Sequence, residues 1–273
     1  MSSSTPPDLF TIPGPRGPVA VARWGSGPPL LLLSGLGSGR KIWGELPSLL
    51  ARRFTVIAPD NRGIGGSREG EPFSLEGSAR DAALAVRECG FSSTAVLGVS
   101  LGGLIACQLA GAHPGLVSRL AAVSCGAHNT PFNRRLARFF ELITTRMAPA
   151  EAAECLMTFA FGAAFADRFP GFVDQAAALW TVEPEDLPGV AAQITALKDD
   201  WDLRPVLAAV TCPALAVAGE LDPIVPLSAS QELAAAIPGC RFRVVPGAAH
   251  SVLAEGGPVV IQEISDFLAG VSA

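Results

Sequence analysis

Near the middle of the chain, Gly98-Val99-Ser100-Leu101-Gly102-Gly103 sets a serine in the pattern Gly-x-Ser-x-Gly. A strand-like run, residues 94–97, precedes it, and a helical pattern, residues 101–112, follows. A serine at the tip of such a strand-to-helix turn holds its hydroxyl above the sheet as a nucleophile. The N–H groups that open the helix favour a developing oxyanion, and the glycines leave room for neighbouring chain. The five-residue pattern also arises by chance in glycine-rich chains. The flanking strand and helix, with the extra Gly103, favour the catalytic reading of Ser100.

Such a serine needs a base, and the chain has three histidines. His113 ends the helical pattern beside Pro114, where a helix-end role suits it. His128 opens a long helical interval and reads as a solvated loop residue, with a place facing the site as the alternative. His250 follows a late strand pattern, residues 242–245, through a Pro-Gly-Ala-Ala loop. Such loops gather at the carboxyl edge of an α/β sheet, so His250 is the expected base. The imidazole in turn needs a carboxylate to hold it. Residues 219–226 supply Glu220 and Asp222 after another strand pattern. Pro223 stiffens the loop behind Asp222, which favours that residue; Glu220 is the rival acid or the residue that shapes the turn. The implied chemistry is attack on an acyl carbonyl by Ser100, with His250 moving the proton and Asp222 holding the ring.

The elements that must position these groups alternate. Strand patterns lie at residues 19–24, 30–33, 54–58, 94–97, 120–124, 214–218 and 242–245, and helical patterns at 42–52, 75–89 and 101–112. The alternation predicts an α/β fold, a mostly parallel central sheet with helices on both faces. From 124 to 214 no strand pattern occurs, and a parallel crossover needs only about a dozen residues. Residues 128–201 are therefore expected to form a helical cap insert, with 1–127 and 202–273 as the core. Leu156, Met157, Phe159, Phe161 and Phe165 make the insert apolar, with Trp180 and Trp201 further on. These side chains line an acyl pocket or pack the insert's own core; Met157 and Phe161 are the expected substrate contacts. Arg134, Arg135 and Arg138 share a helical arc that reads as a solvated face, a carboxylate-bearing substrate being the alternative.

Composition narrows the class. The net charge is −5, with 20 Lys and Arg against 25 Asp and Glu, and no basic stripe invites a nucleic acid. Six cysteines without a Cys-x-x-Cys pair read as buried thiols of a reducing compartment. No apolar run reaches the roughly 18 residues of a membrane span, and the N-terminal stretch lacks the basic-then-apolar order of a signal peptide. A cytoplasmic enzyme without a membrane partner is the expectation, acting on a small, largely apolar acyl substrate. Tyrosine is absent, which removes one common general acid.

Residues 30–40, four leucines running into a glycine-rich turn, admit a phosphate cradle or an oxyanion loop. Gly35 and Gly37 suit a dinucleotide motif, and Asp60 ends the next strand pattern, but the third glycine would fall at Arg40. The order Ser100, Asp222, His250 decides, because it resembles the α/β-hydrolase superfamily, whose order is Ser…Asp/Glu…His. Residues 58–67, Ala-Pro-Asp-Asn-Arg-Gly-Ile-Gly-Gly-Ser, are similar to the family's Asp-x-Arg-Gly-x-Gly-x-Ser turn. The resemblance covers nearly the whole chain from Val19 onward and implies that Asp60 and Arg62 are architectural. Some members carry the acid after the preceding strand; here that stretch, Ser124-Cys125-Gly126-Ala127-His128-Asn129-Thr130, has no carboxylate, which supports Asp222. The resemblance further implies that the backbone N–H groups of Leu36 and Leu101 form the oxyanion hole, with Ser34-Gly35 where many members have His-Gly. No metal or organic cofactor is implied. Serine at 100 argues against the dehalogenases and epoxide hydrolases, which need aspartate there. Residues 34–43, 60–67 and 98–103 look most like the capped 3-oxoadipate enol-lactonase-like esterases and the cofactor-free haloperoxidases (perhydrolases). The activity so implied is hydrolysis of a carboxylic ester or lactone. Carbon–carbon bond hydrolysis, perhydrolysis, lyase or acyl-transfer chemistry on the same triad is the alternative, and a non-catalytic binding protein the remote one.

Overall fold

A computed structural model describes residues 6–271. The reading of the N-terminus as free of a signal peptide rests in part on residues 1–5, outside the described residues. The strands are β1 (Asp8–Ile12), β2 (Val19–Trp24), β3 (Pro29–Leu33), β4 (Thr55–Pro59), β5 (Thr94–Val99), β6 (Val117–Val123), β7 (Ala214–Gly219) and β8 (Arg241–Val245). They form one sheet in the order β1-β2-β4-β3-β5-β6-β7-β8. The β1–β2 and β2–β4 pairings are antiparallel, and every other pairing is parallel. The helices are α1 (Leu46–Leu50), α2 (Leu75–Glu88), α3 (Leu101–Ala112), α4 (Pro131–Arg146), α5 (Pro149–Ala160), α6 (Ala163–Arg168), α7 (Pro170–Trp180), α8 (Leu187–Lys198), α9 (Arg204–Leu207), α10 (Leu227–Ala236), α11 (Val252–Glu255) and α12 (Gly257–Ala269). Among the described residues no helix is long and apolar enough to cross a membrane.

The leucine run explains the layering. A strand sends successive side chains to opposite faces. Leu31 and Leu33 enter a core built with α2, α3 and Leu233 of α10. Leu30 and Leu32 enter the opposite core with Leu50 of α1 and Ile264 and Phe267 of α12. A strand buried on both faces needs apolar residues at every position. Each of these buried leucines contributes about 1.5–3 kcal/mol. Between β6 and β7 the chain forms α4 to α9, and a third apolar cluster joins Phe140, Leu156, Phe161, Val190 and Ile194 over Ile64.

Some details differ from the periodicity. The helix expected over residues 42–52 is split into a 3-10 turn, Arg40–Trp43, and α1. Gly44, at φ 50 and ψ −123, reverses the backbone between them, a conformation that favours glycine. Strand β1 has a weak signal because only Ile12 of its five residues is buried; it adds an edge through β2. The turn at residues 60–67 is architectural, as expected. The Asp60 carboxylate accepts the N–H groups of Arg40 at 2.8 Å and Gly66 at 3.0 Å and pairs with the Arg40 guanidinium. Arg62, buried, pairs with Asp81 at 2.9 Å.

Candidate active site

Parallel strands deliver their C-terminal loops to one edge of the sheet, where α/β proteins place ligands. Here the loops after β3, β5, β7 and β8 carry Gly35, Ser100, Asp222 and His250. Ser100 links β5 directly to α3 at φ 56 and ψ −120, a region costly for a residue with a side chain. Strand and helix meet closely there. A Cβ on Gly102 would lie 2.0 Å from the Leu33 carbonyl oxygen, so only glycine lets α3 start against the end of β3. A Cβ on Gly35 would sit 3.6 Å from the Ser100 Cβ, which sets the loop after β3 beside the serine. The Ser100 hydroxyl does not cap α3.

His250 Nδ1 lies 2.8 Å from Asp222 Oδ2. The Asp222 side chain is wholly buried and the His250 side chain 13% exposed. The other carboxylate oxygen, Oδ1, accepts the N–H groups of Ile224 and Val225, both at 2.9 Å. A carboxylate only accepts, so the contact puts the ring proton on Nδ1 and leaves Nε2 with its lone pair. Glu220, the rival acid, instead accepts the Gly247 N–H at 2.9 Å and shapes the turn. Two further groups hold the base. Ser124, at φ 51, donates its hydroxyl to the His250 carbonyl at 3.0 Å. Glu255 accepts the N–H of Ala249 through one oxygen and of Gly162 through the other, each at 2.9 Å. Burial pushes its carboxyl above the ordinary range, against the pull of those two donors.

The loop after β3 is held from several sides. Asn61 donates to the carbonyls of Ser34 at 2.9 Å and Gly35 at 3.2 Å. Trp180 Nε1 donates to the Leu36 carbonyl at 3.0 Å. The Gly37 N–H donates to Gln193 Oε1 at 2.9 Å, and Gln193 Nε2 donates to the Arg62 carbonyl at 3.1 Å. The Leu36 N–H and the Leu101 N–H have no partner among the described residues. A helix leaves its first N–H groups unsatisfied, and both donors sit in segments adjoining Ser100.

Ser100, His250 and Leu36 line one cavity of about 1080 Å³. Met157 and Phe161, the expected substrate contacts, line it too, and both are buried in the cluster formed by α4, α5 and α8. Phe159 and Phe165 serve packing instead: Phe159 meets Phe139 with ring centres 5.3 Å apart, and Phe165 stacks on Phe161 at 5.4 Å. The other histidines stand away from the cavity. His113 caps the far end of α3, and His128 Nδ1 lies 3.3 Å from Glu232. Of the arginine arc, Arg134 pairs with Asp200 at 2.6 Å and Arg138 with Glu141 at 2.9 Å, and neither lines the cavity. Among the described residues no cluster of three or more His, Cys, Asp or Glu could hold a metal ion.

Sequence reasoning missed the groups that hold the machinery: Asn61, Ser124, Gln193 and Glu255, and the indole N–H of Trp180. Asn61 lies within the quoted turn and Ser124 ends a strand pattern. Gln193 and Glu255 carry no local signal.

A fold of this order with this site defines a class. Residues 28–257 match the family described as alpha/beta hydrolase fold, and the chain belongs to that family, as an enzyme. A protein of Variovorax paradoxus with the provisional name carbamate hydrolase RutD is 31% identical over 259 residues, spanning 90% of this chain and 94% of its own. A Mycobacterium tuberculosis protein provisionally named non-heme bromoperoxidase BpoC is 25% identical over 257 residues, spanning 91% and 97%. Among solved structures, a thermophilic esterase from Thermogutta terrifontis with malate bound superposes with a TM-score of 0.84 at 25% identity, covering 97% of this chain and 100% of its own. The enol-lactonase from Burkholderia xenovorans LB400 has a TM-score of 0.82 at 23% identity, covering 95% and 100%, and shows the shared fold. A protein with a haloperoxidase name is thus among its sequence relatives, and an enol-lactonase shares its fold.

Proposed function

We propose that the protein is a serine hydrolase that cleaves a neutral carboxylic ester or lactone through an acyl-enzyme on Ser100. The observation that carries this reading is the buried Asp222 carboxylate 2.8 Å from His250 Nδ1, on a ring that shares its cavity with Ser100. Ser100 Oγ attacks the acyl carbonyl carbon and its proton passes to His250 Nε2. The tetrahedral oxyanion takes the N–H groups of Leu36 and Leu101, each worth about 3 kcal/mol of barrier. Collapse breaks the carbon–oxygen bond, and His250 returns the proton to the departing alkoxide. A water molecule then gives its proton to His250 and its oxygen to the acyl carbon, and the acid leaves as Ser100 regains its hydrogen. Asp222 holds the ring and balances its charge in both halves.

Residues 128–201, read as a cap, close the cavity with Met157 and Phe161. The Thermogutta esterase supports an ester as the substrate class, and the RutD relatives make a carbamate the comparison to include. The test is turnover of p-nitrophenyl acetate, a lactone panel, an aryl carbamate and a vinylogous 1,5-diketone by the wild type and by Ser100→Ala. Esters or lactones turn over, and the variant loses activity by about four orders of magnitude or more. Inertness to every ester with turnover of the diketone would overturn the ester reading.

A further inference from the structure

The cavity at Ser100 is larger than a small ester needs. Its volume, about 1080 Å³, lies just above the range of about 300–1,000 Å³ usual for drug-sized ligands. The same lining holds Ser100 and His250, then Ile42, Trp43, Leu46, Leu49 and Ala51 around α1, and Trp24 and Gly25 well away from Ser100. The strand register measures that distance. Trp24 pairs with Val56, Val56 with Leu30, and Leu30 with Ala95. Ala95 stands five residues before Ser100, about 16 Å along the strand, and β2 lies three strand spacings from β5, about 14 Å across. The far end is therefore about 20 Å from the nucleophile.

The wall along this length is mostly apolar. Besides His250, its ionisable residues are Glu45 and Arg52, both exposed to solvent and both on the segment around α1. Among the described residues no Lys or Arg of the lining other than Arg52 is there to receive a carboxylate, and Arg134 and Arg138 of α4 are paired with Asp200 and Glu141. Leu49 is 44% exposed, an apolar side chain left uncovered along the groove. We infer that the substrate is an ester of a long-chain, uncharged fatty acid, its acyl chain lying along residues 42–51 with its end at Trp24 and Gly25. The inference rests on Ser100 as the acylated nucleophile.

The experiment compares kcat/KM for p-nitrophenyl acetate, butyrate, octanoate and laurate, with octyl acetate as the ester whose long chain is on the alcohol side. Each methylene taken from water is worth up to about fourfold, so octanoate exceeds acetate by about 100-fold or more. Ser48→Trp, which fills the groove, and Leu49→Glu, which places a charge on an exposed position of it, each cut the octanoate-to-acetate ratio at least tenfold. Turnover of acetate with a flat or falling chain-length profile overturns the inference and leaves the hydrolase reading intact. A preference for octyl acetate over p-nitrophenyl octanoate overturns it as well, as does a rising profile that neither variant lowers. Absence of turnover with every ester overturns the hydrolase reading beneath it.

Discussion

Ser100 is held at φ 56 and ψ −120, a conformation that costs a residue with a Cβ about 1–3 kcal/mol. The surrounding packing imposes it, since α3 can begin where it does only with the bend at this residue. Replacing Ser100 by glycine relieves the strain and removes the nucleophile. Urea unfolding is expected to show Ser100→Gly more stable than Ser100→Ala by about 1 kcal/mol, with both inactive. Equal stability would argue against strain at the bend. Asp222→Asn tests the base by a different route. Asparagine can keep an oxygen toward the Ile224 and Val225 N–H groups, so the loop survives, but it then turns an NH₂ toward His250 Nδ1. The ring must then accept at Nδ1 and loses its lone pair at Nε2. The expected result is a kcat lower by about three to four orders of magnitude with little change in KM. A loss below tenfold would separate Asp222 from the chemistry. At this scale the candidate site was legible: Ser100, Asp222 and His250 each sit just after a strand pattern, in loops short enough to be counted. The partners that hold them were not, because Gln193 meets backbone groups 156 and 131 residues away and Glu255 joins nearby Ala249 to Gly162, 93 residues away.

At the scale of elements, function depends on how α8 and the loop before α11 meet the sheet edge. Gly189 of α8 crosses Gly63 so closely that a Cβ on Gly189 would lie 1.9 Å from the Gly63 carbonyl oxygen. Alanine in place of glycine ordinarily stabilises a helix by about 0.5–1 kcal/mol. Here the sign inverts: Gly189→Ala is expected to cost about 1–3 kcal/mol and to lower kcat, because α8 moves and Gln193 leaves the Gly37 N–H. A gain in thermal stability would contradict the close crossing. Glu255 gives a pH-dependent case. Burial raises its carboxyl above 4.5, its ordinary value, so the folded chain holds that proton more tightly than the unfolded one. Stability from this group is therefore fully present below about pH 4.5 and falls as pH rises through the raised value. In urea titrations from pH 4 to 7, the wild type is expected to lose ground to Glu255→Gln as pH rises. A difference between the two that does not change with pH would place Glu255 in an environment no different from water. Periodicity found the central strands and α3 because both faces of β3, β5 and β6 are apolar. It missed the break at Gly44 and the edge strand β1, where the backbone reversal and a single buried residue leave little apolar rhythm to read.

At the scale of the whole molecule, one sheet sandwiched between two apolar cores carries its working loops at a single edge, and the helices between β6 and β7 supply the wall opposite. The family could be read from the order of three residues and two turns, since that order reflects which strand each loop follows. The extent of the cavity could not, because Trp24, Leu49 and Phe161 come together only through the register of β2, β4 and β3 and the packing of α5. The central claim is a reactive serine in a working triad, and it is tested most directly by a fluorophosphonate probe followed by mass spectrometry of the labelled protein and its peptides. The account predicts one equivalent of label on the peptide bearing Ser100, and a labelling rate lower by orders of magnitude in His250→Ala. An unmodified Ser100 in the folded wild-type protein, or labelling that is as fast without His250, would contradict it.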